Sequence, residues 1–227
     1  MENFKSFYEL QEGVYDPNIF KAIFLAGGPG SGKSYVVKRT TGGMGFKIVN
    51  SDDVYEKRLK DVGLDTTPED IFSDKGQAVR VKAKGVTKRM QGNYLAGRLG
   101  LVIDGTGKDY DKITRQATEL KQLGYDTYMI FVNTSLDVAL ARNRKRDRVL
   151  ADSMVIQLWN QVQQNLGKFS QYFRRNLVIV DNNEEQEDDG QIFNSVFKQI
   201  KPLAKSKPTS KIAQLWIKKE LEMKRRR

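Results

Sequence analysis

The chain has 227 residues, with 39 lysines and arginines against 28 aspartates and glutamates, and it contains neither histidine nor cysteine. The absence of cysteine excludes disulfides, thiol nucleophiles and thiolate metal sites, and the absence of histidine excludes the usual catalytic triads and zinc sites. Carboxylates, amines, guanidinium groups, hydroxyls and backbone amides remain, and these fit phosphoryl transfer. The formal charge of +11 indicates anionic partners such as nucleotides, nucleic acid or a membrane surface.

Charge and apolar patterning divide the chain into three predicted segments. Residues 1–19 precede the first strand as an N-terminal flap, residues 20–200 form the main domain, and residues 201–227 form a basic linker followed by an amphipathic tail helix. The tail carries ten basic residues against Glu220 and Glu222, which favours nucleic-acid contact or, alternatively, only solubility. The start lacks a signal-peptide pattern and no apolar run approaches membrane length, so we expect a cytoplasmic protein without a membrane span.

Short apolar runs alternate with helical patterns along the main domain. Apolar positions at helical spacing predict helices over 111–123 and 153–173. Strands are predicted at 22–26, 46–49, 101–103, 128–132 and 177–180. This alternation predicts an α/β fold with a doubly wound, parallel, five-stranded sheet.

The strongest motif follows the first predicted strand. Residues 27–34 read Gly-Gly-Pro-Gly-Ser-Gly-Lys-Ser and match the phosphate-binding pattern G-x-x-x-x-G-K-[ST]. Backbone N–H groups of such a loop surround a phosphate, the lysine reaches the β- and γ-phosphates, and the hydroxyl binds Mg²⁺. ATP and Mg²⁺ are therefore the predicted cofactors, bound by Gly28, Pro29, Gly30, Ser31, Gly32, Lys33, Ser34 and Tyr35.

Other motifs narrow the class of P-loop protein. No N/T-K-x-D run is present for guanine recognition, no L-S-G-G-Q run is present, and the chain is short for the helical lid domain of an AAA+ machine. A small kinase of the P-loop NTPase fold needs an acidic group near the acceptor, another near Mg²⁺, and an arginine-rich lid.

Acidic residues follow the second and third predicted strands, where α/β sheets bind their ligands. Asp52, or alternatively Asp53, can accept the proton of an acceptor hydroxyl. The alternative reading is a helix cap provided by Ser51 or Asp52. Asp104 ends an apolar strand and is predicted to hold Mg²⁺ together with Ser34, unless it forms only an Asp-Gly turn.

Two basic segments complete the predicted site. Residues 142–148 contain five basic residues and are predicted to form an arginine-rich lid, with Arg142 and Arg146 on the phosphates, or else a solvated helix face. Residues 75–98 form a basic, helical insertion that is expected to shape the acceptor pocket. Acceptor contacts are predicted at Asp53, Thr106 and Arg80. The acidic segment 181–189 follows the last strand, near the expected adenine position.

Together, these motifs resemble the zeta-toxin and polynucleotide-kinase group of P-loop kinases, which includes phage-encoded members, over about residues 20–180. The resemblance implies that Asp52 is the general base and that Arg146 contacts the donor phosphates. Residues 55–58 offer no clean equivalent of the acceptor-phosphate arginine of polynucleotide kinases, and Ala151 stands where the family often has proline.

The acceptor therefore stays open at this stage. A polynucleotide or modified-base DNA is favoured because the insertion and the tail are basic, and a nucleotide-sugar or other small molecule is the alternative. A hypothesis of another class is an ATP-binding regulatory or DNA-associated protein without transfer activity.

Overall fold

The computed structural model describes residues 13–41, 44–146, 149–183 and 190–226. A parallel five-stranded sheet runs in the order β2-β3-β1-β4-β5, which confirms the predicted fold. Its strands are β1 Lys21–Ala26, β2 Lys47–Val49, β3 Leu101–Ile103, β4 Asp126–Asn133 and β5 Leu177–Asp181.

Helices flank both faces of this sheet. They are α1 Lys33–Thr41, α2 Ser51–Asp61, α3 Pro68–Phe72, α4 Asp74–Ala96, α5 Tyr110–Gln122, α6 Leu136–Arg144, α7 Asp152–Phe173, α8 Gly190–Lys205 and α9 Lys211–Arg225, with a 3₁₀ turn at Arg174–Asn176. None of the helices in the described ranges combines the length and apolar character that a membrane span requires.

Side-chain alternation along the strands produces two cores. Phe24 on β1 and Phe131 on β4 point to the face covered by α5, α7 and α9. Ile23 and Ile130 point to the opposite face, which α1 and α8 cover. Because successive strand residues face opposite sides, a sheet covered on both faces needs nearly continuous apolar strands.

A smaller core joins α2, α3 and α4 beyond β2. Tyr55 and Leu59 of α2 pack against Ile71 of α3 and Val79 of α4. The basic insertion predicted over 75–98 is thus mainly one long helix, α4, held against α2 at the carboxyl edge of the sheet.

The C-terminal segment packs against the opposite, amino edge of the sheet. Ala213 of α9 is fully buried against Gly124, and the Trp216 indole meets the Phe20 ring edge-on at 5.5 Å. The linker predicted from residue 201 is wrong over 201–205. There α8 continues through Pro202 to Lys205, and only 206–210 connect the helices.

Candidate active site

The loop between β1 and α1 has a backbone that only glycine can provide. Gly30 and Gly32 have φ angles of +74° and +82°, and a Cβ on Gly30 would lie 2.4 Å from the Ala139 carbonyl oxygen. The Gly27 amide donates to the Thr106 carbonyl at 2.9 Å, which joins the loop to the segment after β3. The curled backbone and the following helix start form a concave surface suited to an anion.

The remaining predicted phosphate-loop residues lie along this surface. Ser34 and Tyr35 are exposed at the start of α1, whereas Pro29 and Ser31 are buried. Asn182, immediately after β5, donates its side-chain amide to the Ser31 carbonyl at 2.8 Å. The sequence analysis did not identify this residue; its only signal is its position after a predicted strand.

Lys33 folds back onto the loop. Its ammonium donates to the carbonyl oxygens of Gly27 at 2.7 Å and Gly28 at 3.3 Å. The side chain is half-buried. An incoming phosphate group can replace these neutral acceptors with stronger, charge-assisted ones.

The electrostatics of Lys33 connect four predicted site residues. Burial lowers the pKa of its ammonium to about 8, opposed by the negative charge of Asp104, reinforced by Arg146 and opposed again by Asp52. Asp104, Asp52 and Arg146 therefore lie near enough to Lys33 to act on its charge.

Strand pairing brings together the acidic residues that follow β2 and β3. β2 and β3 are parallel neighbours in which Val49 pairs with Ile103, so the residues that follow, Asn50 and Asp104, lie side by side. The Asn50 amide nitrogen donates to Asp104 Oδ2 at 3.1 Å and to Asp53 Oδ1 at 3.0 Å. One amide thus bridges a carboxylate of α2 and the carboxylate that directly follows β3.

Asn50 also caps α2. Its Oδ1 accepts a hydrogen bond from the Asp52 backbone amide at 2.8 Å, so the predicted capping by Ser51 or Asp52 is wrong. The capping preference of asparagine was a sequence signal that could have identified the position. With the cap provided by Asn50, the Asp52 and Asp53 side chains are both exposed toward the site.

Neighbouring charges and burial act on these acids. Burial and the adjacent Asp52 raise the pKa of Asp53. Burial also raises the pKa of Asp104, against the opposing effect of Lys33, while Asp53 and Asp52 raise it further. The carboxylates destabilise one another's ionised forms, which is the condition under which a bound cation is most stabilising.

The predicted lid begins within α6. Arg142 donates to the backbone carbonyl of Asn182 at 2.8 Å, which ties the helix to the end of β5. Arg144 pairs with Asp152 at 2.5 Å, and Arg146 is exposed near Lys33. The last arginine of the predicted lid, at 148, and most of the acidic segment, 184–189, lie outside the described residues.

The base of the lid is fixed by a buried side chain. Asn143 is fully buried; its amide nitrogen donates to the Leu150 carbonyl at 2.8 Å and its Oδ1 accepts from the Leu150 amide at 3.2 Å. These two bonds tie the end of α6 to Leu150, just before α7.

The predicted acceptor contacts are not all in one place. Asp53 belongs to the acidic cluster, and Thr106 is exposed beside the phosphate loop. The Arg80 guanidinium lies 5.0 Å from the centroid of the Tyr55 ring, within the smaller helical core. An open polar groove of about 490 Å³ lies between the start of α5 and α7, lined among others by Lys108 and Lys168.

Comparison with solved structures finds other proteins with a similar fold. Similarity extends to the PezAT chromosomal toxin–antitoxin system of Streptococcus pneumoniae (TM-score 0.59, 15% identity, 88% of this chain and 93% of that chain covered). It extends to the AvrRxo1-ORF1:AvrRxo1-ORF2 complex with sulphate ions (0.55, 16%, 78% and 63%). A chain of the Pnkp1/Rnl/Hen1 RNA repair complex is also similar (0.52, 18%, 67% and 47%). At these identities the similarity concerns the fold alone.

No curated protein matches the sequence significantly. A family model described as an AAA domain matches residues 23–167, from β1 into α7. The described residues of α8 and α9 lie beyond this match and pack onto the same sheet. With well over half of its length matched, the chain belongs to this AAA domain family.

Proposed function

We propose that the protein is an ATP- and Mg²⁺-dependent kinase that transfers the γ-phosphoryl group to a hydroxyl of a nucleic acid or nucleotide-type acceptor. The observation that carries the proposal is the position of Lys33 on the glycine-rich loop, beside the acids after β2 and β3 that Asn50 bridges. Phosphoryl transfer requires positioned cations around the donor phosphates and a carboxylate that orients the attacking hydroxyl. This site combines them at the ligand-binding edge of the sheet.

The donor side uses the loop and the lid. The backbone amides of the loop bind the β-phosphate, and Lys33 leaves its two carbonyl partners to bind the β- and γ-phosphates. Arg146 neutralises charge that develops on the transferred group, while Arg142 anchors the lid helix through Asn182. A closed lid also excludes water, which favours transfer over hydrolysis.

The acceptor side uses Asp52 as general base. Asp53 already accepts a hydrogen bond from Asn50, and the neighbouring Asp52 side chain is exposed. Asp52 would accept the proton of the attacking hydroxyl as that oxygen approaches the γ-phosphorus.

The oxygen donors of Ser34 and Asp104 fit Mg²⁺. Mg²⁺ usually binds few protein ligands and completes its coordination with water and phosphate oxygens. When bound, Mg²⁺ would neutralise charge on the β- and γ-phosphates.

Two features bear on the acceptor. Exposed cations on α4, the helix that packs against α2, favour a polymeric phosphate backbone: Lys82, Lys84, Lys88 and Arg89. The polar groove between α5 and α7 begins directly after the loop 104–107 and has the size of a small-molecule site. It supports the alternative acceptor class, a nucleotide-sugar or other small hydroxyl compound.

The test is incubation with γ-labelled ATP and a panel of acceptors: 5′-hydroxyl DNA and RNA, hydroxymethylated DNA, nucleosides, nucleoside monophosphates and nucleotide-sugars. Label on one class supports the kinase and identifies its acceptor. Asp52→Asn should lower transfer about 10²–10⁴-fold while ATP binding persists, and a larger loss in Asp53→Asn would make Asp53 the base instead. ATP binding without label on any acceptor would support a regulatory protein instead.

The tail needs a separate test, because α9 lies at the edge opposite the phosphate loop. The six residues of β1 separate the edges by about 20 Å, so tail cations can reach a polymer but not a small acceptor in the site. Truncation would remove Trp216 and uncover Phe20, so charge removal is preferable. Replacing Lys218, Lys219, Arg225 and Arg226 with glutamine should reduce the slope of log K against log[salt] for DNA by about 3.6. An unchanged slope would leave solubility as the tail's role.

A further inference from the structure

Asn50 occupies the junction between β2 and α2. Its side chain makes three hydrogen bonds: Oδ1 accepts from the Asp52 backbone amide, and the amide nitrogen donates to the carboxylates of Asp53 and Asp104, all at 2.8–3.1 Å. The side chain is only partly exposed. It contacts the acids that follow both β2 and β3.

The chemistry of the amide gives this arrangement one orientation. The nitrogen has two hydrogens, and each is directed at one carboxylate, while the oxygen faces a backbone N–H. A flipped amide would direct its oxygen at two carboxylates and its nitrogen at a backbone donor. Asn50 is therefore fixed by its partners.

These contacts separate into two roles that different side chains can perform. The oxygen performs helix capping, which serine or aspartate performs equally well. The nitrogen holds carboxylates from neighbouring strands at a fixed separation, and neither serine nor aspartate can donate twice in the same way. A cap alone accounts for the first contact but not for the two donated bonds.

We propose that Asn50 is a positioning residue of the proposed kinase: its amide holds Asp53 and Asp104 in the arrangement that binds Mg·ATP and the acceptor. The inference rests on the proposed function for the roles of these acids, and on the observed contacts for the role of Asn50. It does not require Asn50 to touch a substrate.

Removal of the donor has a physical consequence. Asp53 and Asp104 both lie within hydrogen-bond distance of one nitrogen, so their like charges repel when both are ionised. The amide dipole between them offsets part of that repulsion and fixes their side-chain rotamers. Without it, the carboxylates separate or recruit water, and each encounter with Mg·ATP must restore the arrangement.

The first variant is Asn50→Ser, which keeps the cap and loses the bridge. We expect nearly unchanged thermal stability. The Mg²⁺ concentration needed for ATP binding should rise about 10–100-fold, and kcat at low Mg²⁺ should fall by a similar factor. The ATP affinity measured in EDTA should remain at the wild-type value. High Mg²⁺ should restore part of the activity, which a purely structural defect would not permit.

The matched control is Ser73→Ala. Ser73 caps α4 by accepting from the Gly76 amide at 3.0 Å, in the same helical layer but without a carboxylate bridge. This variant should lower thermal stability with an unchanged Mg²⁺ dependence. Equal effects of both variants on Mg²⁺ dependence would overturn the proposal.

Asn50→Asp gives a second measurement. It keeps shape and cap but places a third carboxylate against the other two, so the shift in Mg²⁺ dependence of ATP binding should exceed that of Asn50→Ser. A Mg²⁺ dependence like that of wild type in both variants refutes the role of Asn50. Failure of the wild-type protein to label any acceptor refutes the kinase. ATP binding measured with Mg²⁺ and with EDTA still tests the role of Asn50.

Discussion

Two lysines lie near carboxylates at opposite edges of the sheet. One is part of a structural ion pair, and the other lies in the candidate phosphate site. Lys21 begins β1 with its side chain 1% exposed, and its ammonium contacts Asp126 at 2.6 Å and Ser206 at 2.9 Å. Lys33, after β1, lies near Asp104 and Asp52 but donates to backbone carbonyls instead. One cation is paired with a charge, and the other is held by neutral groups.

The difference concerns what each cation can still bind. Asp126 also accepts from the Thr209 backbone amide at 3.2 Å, so the Lys21 pair fastens the segment before α9 to the amino edge. The pKa of Lys33 is lowered to about 8, so its charged form is destabilised until an anion arrives. A phosphate that binds Lys33 supplies a negatively charged partner. Its binding is therefore stabilised more than at a lysine that already has an ion pair.

The largest effect should come from Lys33→Met. Loss of the ammonium should reduce phosphoryl transfer by at least about 10²–10³-fold, the range for removing one preorganised donor from a transition state. The fold should remain, because Lys33 makes no ion pair that packing depends on. Labelled-ATP transfer, with circular dichroism as the control for folding, makes the measurement. Retained transfer would contradict the role of Lys33.

Lys21→Met should act on stability instead. Removing one partner of a buried ion pair leaves Asp126 with less compensation and costs about 3–5 kcal/mol, measured by urea unfolding. Transfer activity at low temperature should persist, because the pair lies at the far edge from the phosphate loop. The double variant Lys21→Met, Asp126→Leu should recover much of the loss, since an apolar pair leaves no buried charge. Loss of activity without loss of stability would contradict the purely structural role of Lys21.

Sequence patterns predicted the parts of this molecule that depend on local chemistry. The five strands and the phosphate loop follow from short apolar runs and from glycine spacing, and the structure confirms the parallel sheet. The helix over 153–173 was predicted nearly to its ends, because its apolar stripe repeats at helical spacing.

Features that depend on distant pairing were not predicted. The Asn50–Asp104 bridge joins residues 54 apart in sequence, and it exists only because β2 pairs with β3. Proline at 202 indicated a linker, but Ile200 and Ala204 are buried on either side of it, so packing stabilises the helix despite the lost hydrogen bond. The docking of α9 likewise depends on Phe20 and Gly124, far away in the chain.

The smallest predicted effect is the pH dependence of the Lys33 contribution to stability. The ammonium has a pKa of about 8 in the folded protein and a reference value of 10.5. Below pH 8 both states are protonated, and the folded state bears the full burial cost. Between these values the unfolded chain binds a proton that the folded protein lacks, so the free energy of unfolding rises with pH.

Lys33→Met should therefore be more stable than wild type at pH 7, and the difference should shrink by about 1.4 kcal/mol per pH unit between pH 8 and pH 10. Urea unfolding of both proteins at several pH values measures it, and ionisation of tyrosines cancels in the difference. A constant difference would mean that Lys33 keeps an ordinary pKa in the folded protein. The two edges of the sheet would then hold lysines that differ in their partners but not in how readily they lose a proton.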